Sequence, residues 1–280
     1  MTSPLRLGAA VLGSPINHSL SPALHQAAYN AIGLVGWRYR AIECDEAGLL
    51  GRLLALDEEG LAGVSLTMPL KRAVMPLVAA TDGVVDLVGA ANTVLFGSEG
   101  RWIAANTDVQ GFILSLYRAG LRAVRGDVWL LGAGATACAA LAGLAELGVT
   151  EAVVVARRPE SVADVRGVAE RCGITLDVRP WSEAAGAVGA ELVVACVPAG
   201  GTDELAPSLA GTTPRGLWFD VVYVPWPTPA AAVWEASGGR SIGGLELLVE
   251  QAAEQVRLMS GVDAPIDVMR AAGELALRLR

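Results

Sequence analysis

The stretch from Asp127 to Arg158 constrains the fold of this chain more than any other. It reads D-V-W-L-L-G-A-G-A-T-A-C-A-A-L-A-G-L-A-E-L-G-V-T-E-A-V-V-V-A-R-R. A short apolar run, Val128 to Leu131, meets Gly132, and an alanine-rich segment of helical character follows. A second apolar run, Ala152 to Val155, comes after Gly148. Strand, glycine turn, helix and strand make the βαβ unit of a dinucleotide-binding fold. Gly132 permits the tight turn, and Gly134 lets the backbone approach a pyrophosphate on the helix N-terminus. Ala137 takes the third position of G-x-G-x-x-G/A, where a small side chain lets helix and strand pack closely.

Glycine turns are common in a chain with 33 glycines, so the flanking strand and helix carry the reading. Residues 128–149 are largely apolar and carry Glu146 as their one charge, which also raises a membrane span. The internal strand-to-helix switch, the glycines and the missing basic flanks favour a buried βαβ unit. The second strand ends Ala156-Arg157-Arg158-Pro159. An acid there suits the ribose 2′-hydroxyl of NAD, a basic residue the 2′-phosphate of NADP. Two guanidiniums favour NADP through forked hydrogen bonds and stacking, against the alternative of a solvated pair.

At 280 residues the chain makes one large domain or two ordinary ones. Hydrophobic residues are 53% and charged residues 18%, which is the balance of a globular protein. A net charge of −8 disfavours nucleic acid and anionic membranes as partners. The N-terminal M-T-S-P-L-R-L-G has no apolar signal core. Cys44, Cys138, Cys172 and Cys196 lie far apart and lack metal spacing. With two histidines in the chain, no metal site is expected. These readings point to a reduced, cytoplasmic chain with no internal repeat.

Arg6 to Gly13 reads as a first buried strand, running into Ser14-Pro15-Ile16-Asn17-His18-Ser19-Leu20-Ser21-Pro22. Ser21 and Pro22 form an N-cap and N1 pair for a helix that stops at Gly33. Ser19 is then either idle in a loop or, with Ser21, a hydroxyl aimed at a ligand from the sheet edge. Trp37 to Glu43 reads as a strand and Asp45 to Glu59 as a helix. Next, Gly63 to Thr67 forms a strand, Pro69 enters the first turn of a helix, and Lys71 lies behind the strand tip. A run after Asn92-Thr93, Trp102 to Ala105, and a helix from Asn106-Thr107-Asp108 follow. Beyond the glycine unit, strands near 174–178, 192–195 and 217–219 alternate with helices, which predicts a parallel sheet covered on both faces. Residues 220–229 carry three prolines and read as a connector or lid. Helices over about 245–259 and 264–280 close the chain.

Taken in order, S-P-I-N-H-S-L-S-P, S-L-T-M-P-L-K, G-A-A-N-T, N-T-D, G-A-G-A-T-A, Y-V-P-W-P-T-P and G-G-L-E-L-L-V-E-Q resemble the motifs of shikimate dehydrogenases. The resemblance spans nearly the whole chain. It implies an α/β protein in which a Rossmann-like NADP domain, residues 108–243, is inserted into a substrate domain of residues 1–107 and 244–280, with a cleft between them. By the same resemblance Lys71 and Asp108 are the catalytic pair. Ser19 and Ser21 hold the shikimate carboxylate with help from Tyr223, and Thr67, Asn92 and Gln251 bind ring hydroxyls. Gly132, Ala133, Gly134 and Ala135 form the pyrophosphate turn, Arg157 matches an arginine of the adenosine-phosphate motif, with Arg158 beside it read from the strand end alone, and Gly244 counts with the cofactor residues. A homodimer is admitted.

The chain departs from the family pattern at Ser65 and Ala156, where asparagines are usual, at Arg158, where threonine is usual, and at Ser161, where a basic residue is usual. The implied activity is reversible NADPH-dependent reduction of 3-dehydroshikimate. Its rivals are a quinate/shikimate dehydrogenase preferring NAD, an aminoshikimate or aminoquinate dehydrogenase, and a non-catalytic nucleotide-binding regulator. A retained Lys71 and Asp108 speak against the last.

Overall fold

The computed structural model describes residues 6–158 and 162–280. The chain packs as two compact units, one formed by the chain up to Gly111 with Leu248–Arg280, the other by Phe112–Leu247. The crossings lie inside helices, after Gly111 and after Leu247.

The first unit runs β1 (Gly8–Gly13), α1 (Ser21–Ala31), β2 (Arg38–Glu43), α2 (Leu49–Glu58), β3 (Gly63–Leu66), α3 (Leu70–Ala73), β4 (Ala80–Thr81), α4 (Gly83–Val88), β5 (Thr93–Phe96), β6 (Trp102–Ala105) and the start of α5 (Asp108–Arg118). Its sheet has the order β2-β1-β3-β5-β6-β4. This sheet is mixed, because β5 is antiparallel to both neighbours. The reason is the short link after Phe96. Phe96 pairs with Trp102, and Gly97 N–H donates to Arg101 O at 2.9 Å, a hairpin that cannot supply the crossover parallel strands need. Leu49, Leu53 and Leu56 of α2 join Leu12, Val64, Leu66, Val94 and Trp102 in one core. That spacing is the apolar stripe the sequence shows.

The second unit holds β7 (Val128–Leu131), α6 (Ala135–Glu146), β8 (Glu151–Ala156), α7 (Ala163–Cys172), β9 (Thr175–Pro180), β10 (Leu192–Ala195), α8 (Ala206–Leu209), β11 (Leu217–Asp220), α9 (Pro229–Ala236) and β12 (Arg240–Ile242). The sheet order is β12-β11-β10-β7-β8-β9, and every pairing is parallel. This is the doubly wound dinucleotide order, with its reversal between β7 and β10. The apolar run of 128–149 is therefore a strand, a turn and a buried helix. No described helix is long and apolar enough to cross a membrane. Trp218 and Trp234, both 0% exposed with ring centroids 5.4 Å apart, anchor a core with Leu131, Val155 and Val193.

Finally α10 (Gly244–Ser260) and α11 (Ile266–Arg278) follow, and α11 lies along α1. Gly111 on α5 faces α10 so closely that a Cβ there would stand 2.9 Å from both the Cβ and the backbone nitrogen of Gln251. Gly111→Ala should therefore lower stability by about 1–3 kcal/mol through overpacking, although alanine is the better helix former. Urea unfolding of the two proteins checks this, and an unchanged or higher midpoint would contradict it.

Candidate active site

The edge of the first sheet collects the polar side chains. The carboxyl ends of β1, β3 and β6 and the amino end of β5 all fall there, since β5 runs against its neighbours. From this edge hang the loop after β1 with Ser19, the turn after β3 with Thr67, Asn92 before β5, and Asp108 at the start of α5.

Thr67 is fixed by its own backbone. Its N–H donates to Leu12 O at 2.9 Å, and its carbonyl accepts from Leu70 N–H at 2.8 Å. Pro69 stands just before α3 and not in its first turn. The turn delivers Lys71, whose Nζ donates to Asp108 Oδ2 at 2.5 Å. The two side chains are 16% and 8% exposed. Asp108 is set by Asn106, whose Oδ1 accepts the Asp108 N–H at 3.0 Å while its Nδ2 donates to Ala90 O at 2.7 Å. Asp108 Oδ1 accepts from Asn92 Nδ2 at 2.8 Å, so both carboxylate oxygens have donors. The acid also sits in the first turn of α5, where the helix dipole favours it.

Asn92 is the hub. Its Nδ2 reaches Thr107 Oγ1 at 2.9 Å and Gln251 Oε1 at 3.2 Å, and its Oδ1 accepts from Thr93 Oγ1 and Thr107 N–H, both at 2.9 Å. Gln251 is steadied by its Nε2 donating to Leu248 O at 2.9 Å. The structure thus joins Lys71, Asp108, Asn92 and Gln251 in one network. It adds Thr93 and Thr107, which sequence reading treats only as parts of their motifs. Hydroxyl residues beside two motif asparagines are the signal that could have found them.

The serine loop differs from expectation in its capping. Leu20, in helical conformation, occupies the cap position of α1 and Ser21 begins the helix. The hydroxyl that bonds a first-turn N–H is that of Ser19, accepting from Ser21 N–H at 3.3 Å. Glu43, at the end of β2, clamps the loop, accepting from Ser14 Oγ at 2.5 Å and Ile16 N–H at 2.9 Å. Sequence reading passes over Glu43 because nothing in β2 marks its last residue as polar-facing.

In the second unit Gly132 has φ +106°, and a Cβ there would lie 2.8 Å from Cys196 O at the sheet's reversal. Around Gly134, in the cap position of α6, a Cβ would meet nothing within 4 Å. The N–H groups that open α6 are therefore approachable by an anion. Arg157 and Arg158 are exposed at the end of β8. Arg157 donates to Gly201 O at 2.7 Å, stands 3.6 Å from Glu204 and lies over Trp181 at 4.7 Å. Pro159 and Ser161 lie outside the described residues. Tyr223 is half-buried in the irregular segment before α9. Gly244 gives its N–H to Val222 O at 3.0 Å, and a side chain there would collide with the Val221 carbonyl. Among the described residues no group of three or more His, Cys, Asp and Glu is arranged to hold a metal.

Residues 11–94 match the family model described as the shikimate dehydrogenase substrate binding domain, and residues 244–272 match that of the shikimate 5'-dehydrogenase C-terminal domain. A shikimate dehydrogenase (NADP(+)) of Methanothrix thermoacetophila is 36% identical over 273 residues, covering 96% of this chain and 97% of its own. The chain belongs to the shikimate dehydrogenase family. The crystal structure of Mycobacterium tuberculosis shikimate dehydrogenase superposes with a TM-score of 0.86 at 39% identity, covering 96% of this chain and 99% of the other. Shikimate 5-dehydrogenase from Thermus thermophilus, solved in complex with NADP(H) and shikimate, gives 0.80 at 32% identity, covering 96% and 99%.

His25 lies in an aromatic cluster of the first unit. It is 0% exposed on α1, stacked on Tyr39 with centroids 3.8 Å apart and set edge-on to Tyr29. Burial pushes its pKa down to about 3. The unfolded chain binds a proton near the ordinary value of 6.5 that folded His25 refuses, so stability should fall as pH drops from about 6.5 toward about 3. The slope from this one group is at most about 1.4 kcal/mol per pH unit. His25→Phe should remove it, and urea unfolding from pH 7 to 5 should show the variant gaining on the wild type with acidity. A stability gap independent of pH would rule this out.

Proposed function

We propose that this chain is an NADP-dependent shikimate dehydrogenase, catalysing the reversible reduction of 3-dehydroshikimate to shikimate. The observation that carries the reading is the Lys71–Asp108 pair, 2.5 Å apart and mostly withdrawn from water, on a sheet edge shared with Ser19, Thr67 and Asn92. The first unit supplies the substrate groups: Ser19 and Ser21 for the carboxylate, and Thr67, Asn92 and Gln251 for ring hydroxyls. Tyr223 is counted in the same reading as assisting with the carboxylate. The approachable turn Gly132–Ala135 and the exposed arginines fit a dinucleotide, with Gly244 counted beside them. Bound NADPH supplies the hydride. Negative charge then builds on the substrate oxygen, and Lys71 donates a proton to it from Nζ. Asp108 holds that ammonium in place while Asn92 holds Asp108. The domain assignment, 1–107 with 244–280 for substrate and 108–243 for cofactor, belongs to the same reading. A cytoplasmic setting accords with four free cysteines, and a homodimer remains open to sedimentation.

Lys71→Ala should lower turnover by about two or more orders of magnitude, with shikimate affinity changed far less. Steady-state rates and equilibrium binding decide between this and a purely binding role, in which only the Michaelis constant would rise.

Cofactor choice rests on Arg157 and Arg158. Both are exposed, and Glu204 already competes for Arg157, so screening holds each contribution near the low end for charge-assisted bonds. Arg157→Ala and Arg158→Ala should each weaken NADP about tenfold and leave NAD nearly unchanged. Fluorescence titration with both cofactors reads this directly. Equal losses, or a wild type that prefers NAD, would reverse the cofactor assignment.

A further inference from the structure

We infer that Gln255 is a positioning residue for this site, acting on Asp108 through a one-way hydrogen-bond relay that Ser65 and Thr93 complete. The inference rests on the roles just given to Lys71 and Asp108. Ser65 on β3 is paired in register with Thr93 on β5, and Gln255 lies one helical turn beyond Gln251 on α10. Ser65, Thr93 and Gln255 are 4%, 0% and 1% exposed, so bulk water cannot reorient them.

The hydrogens can be followed from end to end. Tyr39 O–H donates to Ser65 Oγ at 2.6 Å, and Ser65 O–H donates to Gln255 Oε1 at 2.8 Å. Gln255 Nε2 donates to Asn92 O at 3.2 Å and to Thr93 Oγ1 at 3.0 Å. Thr93 O–H donates to Asn92 Oδ1, and Asn92 Nδ2 donates to Asp108 Oδ1 at 2.8 Å. Every hydrogen points toward the carboxylate that Lys71 holds from its other side.

The direction is imposed and not merely drawn. Asn92 O accepts from Leu66 N–H at 2.7 Å and can only accept, so it is the amide nitrogen of Gln255 and not the oxygen that faces it at 3.2 Å. A flipped amide would set two acceptors together and leave the Ser65 hydroxyl without its acceptor. With Gln255 so oriented, Thr93 Oγ1 receives a hydrogen and must send its own to Asn92 Oδ1. Asn92 is thereby held at its backbone carbonyl and through its side-chain oxygen, which turns Nδ2 toward Asp108. Thr107 N–H supports the same orientation, so loss of the relay weakens the arrangement without abolishing it. Ser65 also explains itself here. Its hydroxyl accepts from Tyr39 O–H and donates to Gln255 Oε1, so it is a link of the relay.

The test compares Gln255→Met, which keeps length and helix preference but cannot donate, with Thr93→Val, which keeps shape but breaks the next link. Each should lower kcat/KM for shikimate about 10- to 100-fold per active site, with sites counted by NADP titration. The loss should appear in both kcat and the KM for shikimate, while the NADP dissociation constant stays near the wild-type value. The double variant should be no worse than the poorer single variant, because both cut one relay. Should Gln255→Met fail to fold, Ser65→Ala with Thr93→Val carries the same comparison. Wild-type kinetics in a folded variant, losses that multiply, or a fall in active fraction with unchanged KM would overturn the relay. A wild type without activity on shikimate would overturn the proposed function, which is a separate outcome.

Discussion

The Asp108 carboxylate, with 8% of its side chain left in contact with water, has to be compensated where it stands. Most of the first unit's polar design follows from that need. Lys71 supplies the opposite charge and Asn92 a directed hydrogen bond, while Asn106 fixes the backbone from which the acid projects. A short turn after β3 and a helix beginning straight after β6 bring the cation and the anion to the same edge. The antiparallel insertion of β5 is what puts Asn92 between them. Were β5 parallel, its amino end would lie at the opposite edge and the carboxylate would lose its second partner.

The second unit works with backbone where the first works with side chains. An all-parallel sheet aligns its strand ends on one edge, and the reversal between β7 and β10 opens a crevice there. Gly132 turns within that crevice against Cys196 O, and Gly134 leaves the start of α6 bare. The unit's charged candidates for the cofactor, Arg157 and Arg158, come later, at the end of β8. Their surroundings, Trp181 and Glu204 for Arg157, are drawn from segments far along the chain.

That contrast also marks how far the sequence can be read. The glycine turn, its strands and its helix were legible because period and turn chemistry are local. Lys71, Asp108, Asn92 and Gln251, which one hydrogen-bond network joins, were singled out only by the family resemblance, each within a motif of fixed order. The mixed sheet was not legible, since four-residue strands such as β5 and β6 look alike whichever way they run, and only the length of their link betrays the hairpin. That Leu20 and not Ser21 takes the cap position of α1 turned on the backbone conformation of Leu20, which no residue type dictates. Ser65 and Gln255 are 190 positions apart, and a serine and a glutamine in apolar runs carry no sign that they meet.

One property of α6 bears on how this chain can drift. Every residue from Ala137 to Leu144 is buried, and most are alanine or glycine. Small-to-large change is then almost the only change available, because an alanine has little to lose and a packed wall to meet. The helix that opens the cofactor turn is thus a one-sided constraint. Its history should consist of exchanges among alanine, glycine, serine and cysteine, while the outward faces of α2 and α11 vary freely. The quiet composition of that segment records a space already full.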